Sequence, residues 1–361
     1  MKIVTIIGAR PQFIKAAMVS RAIQEHNQNS NTPINEFILH TGQHYDTNMS
    51  EIFFSSLNIP RPTWQLQCGN KLHGEMTGEM LIQIEKILIK NQPDYVLVYG
   101  DTDSTLAGAL AASKLLIPIV HVEAGLRSFN RQMPEEINRV LTDHMAHLLC
   151  CPTFTAVKHL SDEGITEGVH HVGDVMYDAA LLFGNLAEAS SSILKQLKLI
   201  DKKFKLCTIH RAENTNQKER LSQIIEAIFE ISSPSYPTVI PLHPRTQRYL
   251  EQYNLLLSFQ KEKGIYLIPP VNYLDMIMLE KHASLIFTDS GGIQKEAYFH
   301  RTPCITLRNE TEWTETVNAG WNQIAGYKKE SILHCLETSP SRMQINDFGT
   351  GNASKLIVEL L

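Results

Sequence analysis

The sequence has none of the spacings that usually announce a reaction. Its six cysteines, Cys68, Cys150, Cys151, Cys207, Cys304 and Cys335, form no C-x-x-C pair and mostly lie in apolar runs. That argues against a zinc site or a disulfide framework and suits buried thiols in a reducing compartment. The 15 histidines form no H-E-x-x-H, so no metal is implied. No G-x-S-x-G elbow is present to expose a nucleophilic serine. No stretch approaches the ~18 uninterrupted apolar residues of a spanning helix. The first residues also lack the basic and apolar regions of a secretion signal, so a cytoplasmic location without a membrane partner is expected. An excess of one charge is missing too: 33 Lys and Arg against 38 Asp and Glu leave a net charge of −5. Nothing attracts nucleic acid in general, and any bound anion must be held by local clusters.

Glycine is scarce where it would matter most. MKIVTIIGARPQFIKAA reads as strand, turn and helix, the place of a G-x-G-x-x-G fingerprint, yet only Gly8 is supplied. Arg10 and Lys15 stand where the later glycines would admit a dinucleotide pyrophosphate. No nicotinamide cofactor is expected. Two cations at such a turn suit a diphosphate bound through charge-assisted hydrogen bonds; a surface pair beside Pro11 is the alternative.

What is present is a rhythm. At 361 residues the chain exceeds the ~250 to 300 residues of a single core, so two domains and a cleft are expected. The apolar runs IVTII, EFILHT, YVLVYG, IPIVHVE and LLCCPT alternate with helical patterns, and the alternation restarts with FKLCTIH, TVIPLHP, IYLIPP, LIFTDS and PCITLR. This is the βα signature of parallel sheets covered by helices. The predicted fold class is α/β, two doubly wound Rossmann-like domains, with a boundary between about Val172 and Lys203. Residues 1–171 form the first domain and 172–350 the second.

In such sheets ligands bind beyond the carboxyl ends of the strands, and polar residues follow the apolar runs at each of those ends. The first half offers Gln43 and His44, Asp101, and His121 with Glu123; the second offers His210 and Arg211, His243 and Arg245, and Ser290-Gly291-Gly292. The turn in TDSGGIQKEA opens a helix whose free N–H groups and dipole favour phosphate, and Glu296 follows on it. Such a carboxylate can accept from both ribose hydroxyls. In MPEEINR, Pro134 marks a helix start carrying Glu135 and Glu136, and Glu136 with Arg139 has the spacing of a surface ion pair. Asp101, Glu123 and Glu135 converging near His210 would repel one another and shift their pKa values, as acid–base chemistry requires.

Together GARPQFIK, GDTDST, HVEAGLRS, MPEEINR, HRAEN, HPR, TDSGGIQKEA and ETEWTE resemble, nearly end to end, the non-hydrolysing UDP-N-acetylglucosamine 2-epimerases. The resemblance implies a GT-B arrangement with the site in the interdomain cleft and a closing helix, about 351–361, crossing back to the first domain. It implies UDP held by Arg10, Ser290, Gly291, Gly292 and Glu296, with Lys15, Gln43, Arg139, His243 and Trp313 as further substrate contacts. Asp101, Glu123, Glu135 and His210 would surround the sugar, with no cofactor and a homodimeric assembly. The implied reaction eliminates UDP to a 2-acetamidoglucal and returns it after reprotonation on the other face. Two departures stand out: GARPQ replaces the usual G-T-R-P-E, and TEWTE replaces E-R-P-E, so that Trp313 stands for an arginine. Asp46 falls where substrate-activated members carry glutamine, which implies weak activation. The branch also includes epimerases of UDP-2,3-diacetamido-2,3-dideoxyglucuronate. That carboxylate would need a cation, and the candidates are Arg308, Arg127 and His243. A hydrolysing epimerase, a glycosyltransferase and an idle UDP-sugar sensor are the other readings.

Overall fold

The computed structural model describes residues 1–43, 60–69, 71–338 and 340–361, and His44 and Asp46 lie outside the described residues. The chain divides into two compact units, Met1–Ala179 with Asn346–Leu361, and Ala180–Ile345.

The first unit is built on β1 (Lys2–Ile7), β2 (Asn35–His40), β3 (Trp64–Gln65), β4 (Tyr95–Tyr99), β5 (Ile119–Val122), β6 (Leu148–Cys151) and β7 (Val169–His171). Among the described residues these form one parallel sheet in the order β3-β2-β1-β4-β5-β6-β7. Its central strands are apolar at nearly every position because helices cover both faces. The helices used below are α1 (Arg10–Asn29), α2 (His73–Asn91), α3 (Asp103–Lys114) and α4 (Pro134–Met145). One face of the sheet packs Ile6, Val96 and Val98 against Met80 and Ile84 of α2 and Ala107 and Ala111 of α3. Thr102 caps α3, accepting from the Thr105 N–H. The C-terminal helix Ala353–Glu359 also belongs to this unit and packs on α1. Its start is held by Asp178, which accepts from the Ala353 N–H at 3.1 Å and the Ser354 N–H at 2.7 Å, a side chain supplying what a helix N-terminus lacks.

The second unit repeats the design with β8 (Lys205–Thr208), β9 (Thr238–Pro241), β10 (Ile265–Ile268), β11 (Leu285–Thr288), β12 (Cys304–Thr306) and β13 (Asn322–Ile324). Their order is β10-β9-β8-β11-β12-β13, again parallel. Its core joins Cys207, Ile240 and Phe287 of the sheet to Leu221, Ile224 and Ile228 of the helix Lys218–Ile231. Helix α5 (Gly291–Phe299) follows β11. In each unit the strand order reverses direction at one place, between β1 and β4 and between β8 and β11. Those are the topological switch points where doubly wound sheets bind ligands. No helix among the described residues is long and apolar enough to cross a membrane.

Candidate active site

At the first switch point Gly8 follows β1 with almost no room: a Cβ there would lie 2.0 Å from Thr41 Oγ1 and 2.2 Å from Ser104 Oγ. This glycine is demanded by the close approach of neighbouring loops to the turn. Arg10 opens α1, and Lys15 lies on the same helix with its side chain buried. Lys15 Nζ donates to Glu123 Oε1 at 2.5 Å, and both side chains are nearly inaccessible. Lys15 is therefore not the surface cation of the alternative reading: its charge is matched by a carboxylate from the end of β5. The pair lies against the backbone at Gly100, where a Cβ would meet Lys15 Nζ at 3.3 Å and Glu123 Oε1 at 3.4 Å. Glu123 itself has φ +74°. The left-handed region costs a non-glycine residue about 1–2 kcal/mol, and strain of this kind concentrates at functional sites.

Asp101, next to Gly100, accepts from Arg139 Nη2, while Arg139 Nη1 donates to Glu136 at 3.1 Å. Glu136 also accepts from the N–H and hydroxyl of Ser128 and the N–H of Phe129, each at 2.9 Å. The Glu136–Arg139 spacing reads as a surface pair, but both side chains are buried. The 128–129 loop folds over the start of α4, so the pair aims a guanidinium at Asp101. Within this unit Glu123 faces Lys15 and Asp101 faces Arg139. Glu135, half-buried, stands at the start of α4 beside Glu136.

Beneath these groups His121 donates through Nε2 to the Gly100 carbonyl at 2.7 Å, and its Nδ1 faces Asp143 at 2.7 Å. Arg127 Nη1 donates to the other Asp143 oxygen at 2.7 Å and grips Glu163 through Nε and Nη2, each at 2.7 Å. Burial pushes the Asp143 carboxyl up, but His121 and Arg127 outweigh it and hold it below the ordinary range. Gln43, expected among the substrate contacts, uses its carbonyl oxygen to accept from the N–H and hydroxyl of Ser104 at 3.0 and 2.6 Å.

At the second switch point Ser290 stands at the N-cap position of α5 without a side-chain cap bond, and Gly291 and Gly292 open its first turn. A Cβ at Gly292 would lie 3.9 Å from both Glu296 Oε2 and Ser290 Oγ, so the Glu296 carboxylate returns beside the turn. A Cβ at Gly291 would sit 3.6 Å from Glu312 Oε2 and 3.7 Å from Trp313 Nε1. Trp313 is buried, with Lys295 Nζ 4.3 Å above its ring; it flanks the glycine turn. Arg308 is committed to Glu312, donating to both its oxygens at 3.0 and 3.1 Å.

His210 lies directly beyond β8 and is tied to this turn by Asp289. That buried carboxylate accepts from the N–H groups of His210 (3.0 Å) and Arg211 (3.0 Å) and from Asn214 Nδ2 (3.1 Å). The crowded setting holds the imidazole below its ordinary pKa, with Arg211 and Arg245 adding to the effect and Asp289 opposing it. The His243 ring is 5.5 Å from that of His210, and its Nδ1 accepts from the Arg245 N–H at 3.1 Å.

A sequence model of the family described as UDP-N-acetylglucosamine 2-epimerase matches residues 26–361. Over its whole length the chain is 54% identical to a UDP-N-acetylglucosamine 2-epimerase homolog of Methanococcus maripaludis, covering 99% of that relative. The chain belongs to the UDP-N-acetylglucosamine 2-epimerase family. To the UDP-2,3-diacetamido-2,3-dideoxy-D-glucuronate 2-epimerase of Pseudomonas aeruginosa it is 49% identical, over 100% of this chain and 99% of the other. The Methanocaldococcus jannaschii UDP-GlcNAc 2-epimerase, solved in complex with UDP-GlcNAc and UDP, matches it with a TM-score of 0.91 and 45% identity. That comparison covers 100% of this chain and 99% of the solved one. The two Rossmann-like units are the α/β fold of GT-B type that the sequence predicts for a UDP-N-acetylglucosamine 2-epimerase. Motif reading passed over Gln12 and Asp289, although GARPQ and TDSGG contain both. Each is a polar residue at a strand end or first helical turn, and that position is the signal.

Proposed function

We propose that this chain is an isomerase that epimerises UDP-N-acetylglucosamine at carbon 2 to UDP-N-acetylmannosamine. The observation that carries the reading is the pair of carboxylates, Glu123 and Asp101, each set against its own buried cation beyond the switch-point strands. A proton on carbon 2 beside an acetamido group is too weakly acidic for direct exchange, whereas UDP on carbon 1 is a good leaving group. The carbon 2 proton passes to a carboxylate, the carbon 1–oxygen bond breaks with its electron pair leaving on UDP, and a carbon 1–carbon 2 double bond forms. Protonation of carbon 2 from the opposite face and return of the UDP oxygen to carbon 1 complete the reaction. Asp101, Glu123 and Glu135 are the set from which the base and acid come. The N–H groups at Ser290–Gly292, with Arg10 and His210, carry the charge of departing UDP, and Glu296 accepts from the ribose hydroxyls.

A second sugar has specific support, namely Trp313 in place of an arginine and the 49% identity to the Pseudomonas diacetamido-glucuronate enzyme. Against it, Arg127 is fixed to Asp143 and Glu163, and Arg308 to Glu312, which withdraws two of the three cations available to a glucuronate. We keep UDP-N-acetylglucosamine as the substrate. Incubation of each UDP-sugar in deuterated water, followed by NMR, tests the reading. Deuterium is expected at carbon 2 of a product that remains UDP-linked. Turnover without isotope uptake would remove the elimination, and free N-acetylmannosamine with UDP would make the enzyme hydrolytic. A specificity constant ~100-fold higher for the diacetamido sugar, the scale of gaining a buried polar partner, would reassign the substrate. The same reading includes a cytoplasmic location and a homodimer; Ile82 and Ile89, exposed on α2, are apolar surface that a second copy would cover.

A further inference from the structure

The residue in which GARPQ ends, where the family usually has the glutamate of G-T-R-P-E, is a buried side chain that spans the switch point. Gln12, 1% exposed, occupies the third position of α1. Its Oε1 accepts from the N–H of Gly8 at 2.7 Å and of Ala9 at 2.9 Å. Its Nε2 donates across to the Tyr99 carbonyl at 2.8 Å and to the hydroxyls of Thr102 and Thr105, each at 3.0 Å. Two N–H donors on one side and a carbonyl on the other allow a single orientation of the amide. One side chain thus joins the turn after β1, which carries Arg10, to the segment after β4, which carries Asp101. The join spans the switch point itself. Ala9, the cap residue of α1, makes no side-chain cap bond, so the first turn depends on Gln12.

We infer that Gln12 is a positioning residue for epimerisation, holding the Arg10 turn and the Asp101 segment as one body. This rests on the function proposed above, and the Gln12 amide, buried and bonded at both ends within the protein, acts through its neighbours. An ionised carboxylate at this position would keep the bonds from Gly8 and Ala9 but turn an oxygen toward the Tyr99 carbonyl. A protonated one would restore a donor there. Burial and the facing carbonyl both raise the pKa of such a group, so the defect is present at alkaline pH and is relieved as pH falls through that raised value.

The test uses the full chain with Gln12→Glu and Gln12→Met. Each is first checked by thermal melting and UDP calorimetry, then followed by carbon 2 deuterium uptake across pH. Gln12→Met should lose about 10-fold or more in kcat at every pH, on the scale of a misplaced catalytic group. Gln12→Glu, which restores the residue usual at this position in the family, should lose less than Gln12→Met, and its kcat relative to wild type should rise as pH falls. Folded variants with wild-type kcat and a pH-flat ratio would overturn the inference. Should wild type show no turnover of either UDP-sugar, the proposed function fails. Amide exchange at Gly8 and Ala9 and UDP affinity then decide the clamp: both unchanged in Gln12→Met would overturn it.

Discussion

Glu123→Gln is expected to lower the rate of epimerisation by at least about 100-fold, the minimum contribution of a positioned acid or base, with UDP affinity nearly unchanged. The amide keeps the shape of the carboxylate and can still accept from Lys15, so the contact persists while the proton chemistry ends. The substitution also leaves the Lys15 cation, bonded at 2.5 Å to Glu123 in the native protein, without its counter-charge. Removing one partner of a buried pair typically destabilises by about 3–5 kcal/mol, so thermal melting and UDP calorimetry must accompany the kinetics. A variant that melts lower, binds UDP as before and fails to exchange the carbon 2 proton is the expected result. One that binds UDP and turns over near the native rate would return Glu123 to a structural role, and its left-handed backbone would then need another explanation.

The parts of this molecule that were legible in its sequence are those written in local pattern. Runs such as IVTII and YVLVY became β1 and β4 because apolar side chains on both faces fit only a covered parallel sheet. Pro134 and the Ser290–Gly292 turn marked helix starts because a missing N–H or a small residue has few other places to go. Partnership was illegible wherever it spans the sheet order. Lys15 meets Glu123 across 108 positions, and His210 meets Asp289 across 79; no spacing rule links them. Burial was illegible as well: Glu136 and Arg139 have the sequence signature of a solvated pair, and only the loop at Ser128 and Phe129, folded over them, makes it an interior one. The role of Gln12 depends on strand order, since only the adjacency of β1 and β4 puts the Tyr99 carbonyl within its reach.

Arg127→Met is expected to destabilise the fold by about 3–5 kcal/mol near neutral pH, because it leaves a buried carboxylate without its arginine. Arg127 is the only described link joining Asp143 to Glu163, with three bonds to them of 2.7 Å. The pH dependence of the loss has a definite sign. Asp143 is held below its ordinary pKa by His121 and Arg127 against the upward push of burial, and Glu163 is lowered chiefly by its bond to Arg127. A depressed carboxylate contributes stability that is present above its unfolded pKa and is lost as pH falls through the folded one. Urea unfolding should therefore show the gap between wild type and variant widest at neutral pH and narrowing toward about pH 3. A gap constant with pH would mean that these two carboxylates are not what the arginine holds. The consequence for catalysis follows from His121, which bonds Asp143 on one side and the Gly100 carbonyl on the other. Loosening the network moves the residue that carries Asp101, so on the proposed function kcat should fall more than UDP affinity, because Ser290–Gly292 and Glu296 lie in the other unit. The same commitment bears on substrate choice: an arginine that the fold needs between two carboxylates is not available to bind a third on the sugar, and a glucuronate would have to find its cation elsewhere.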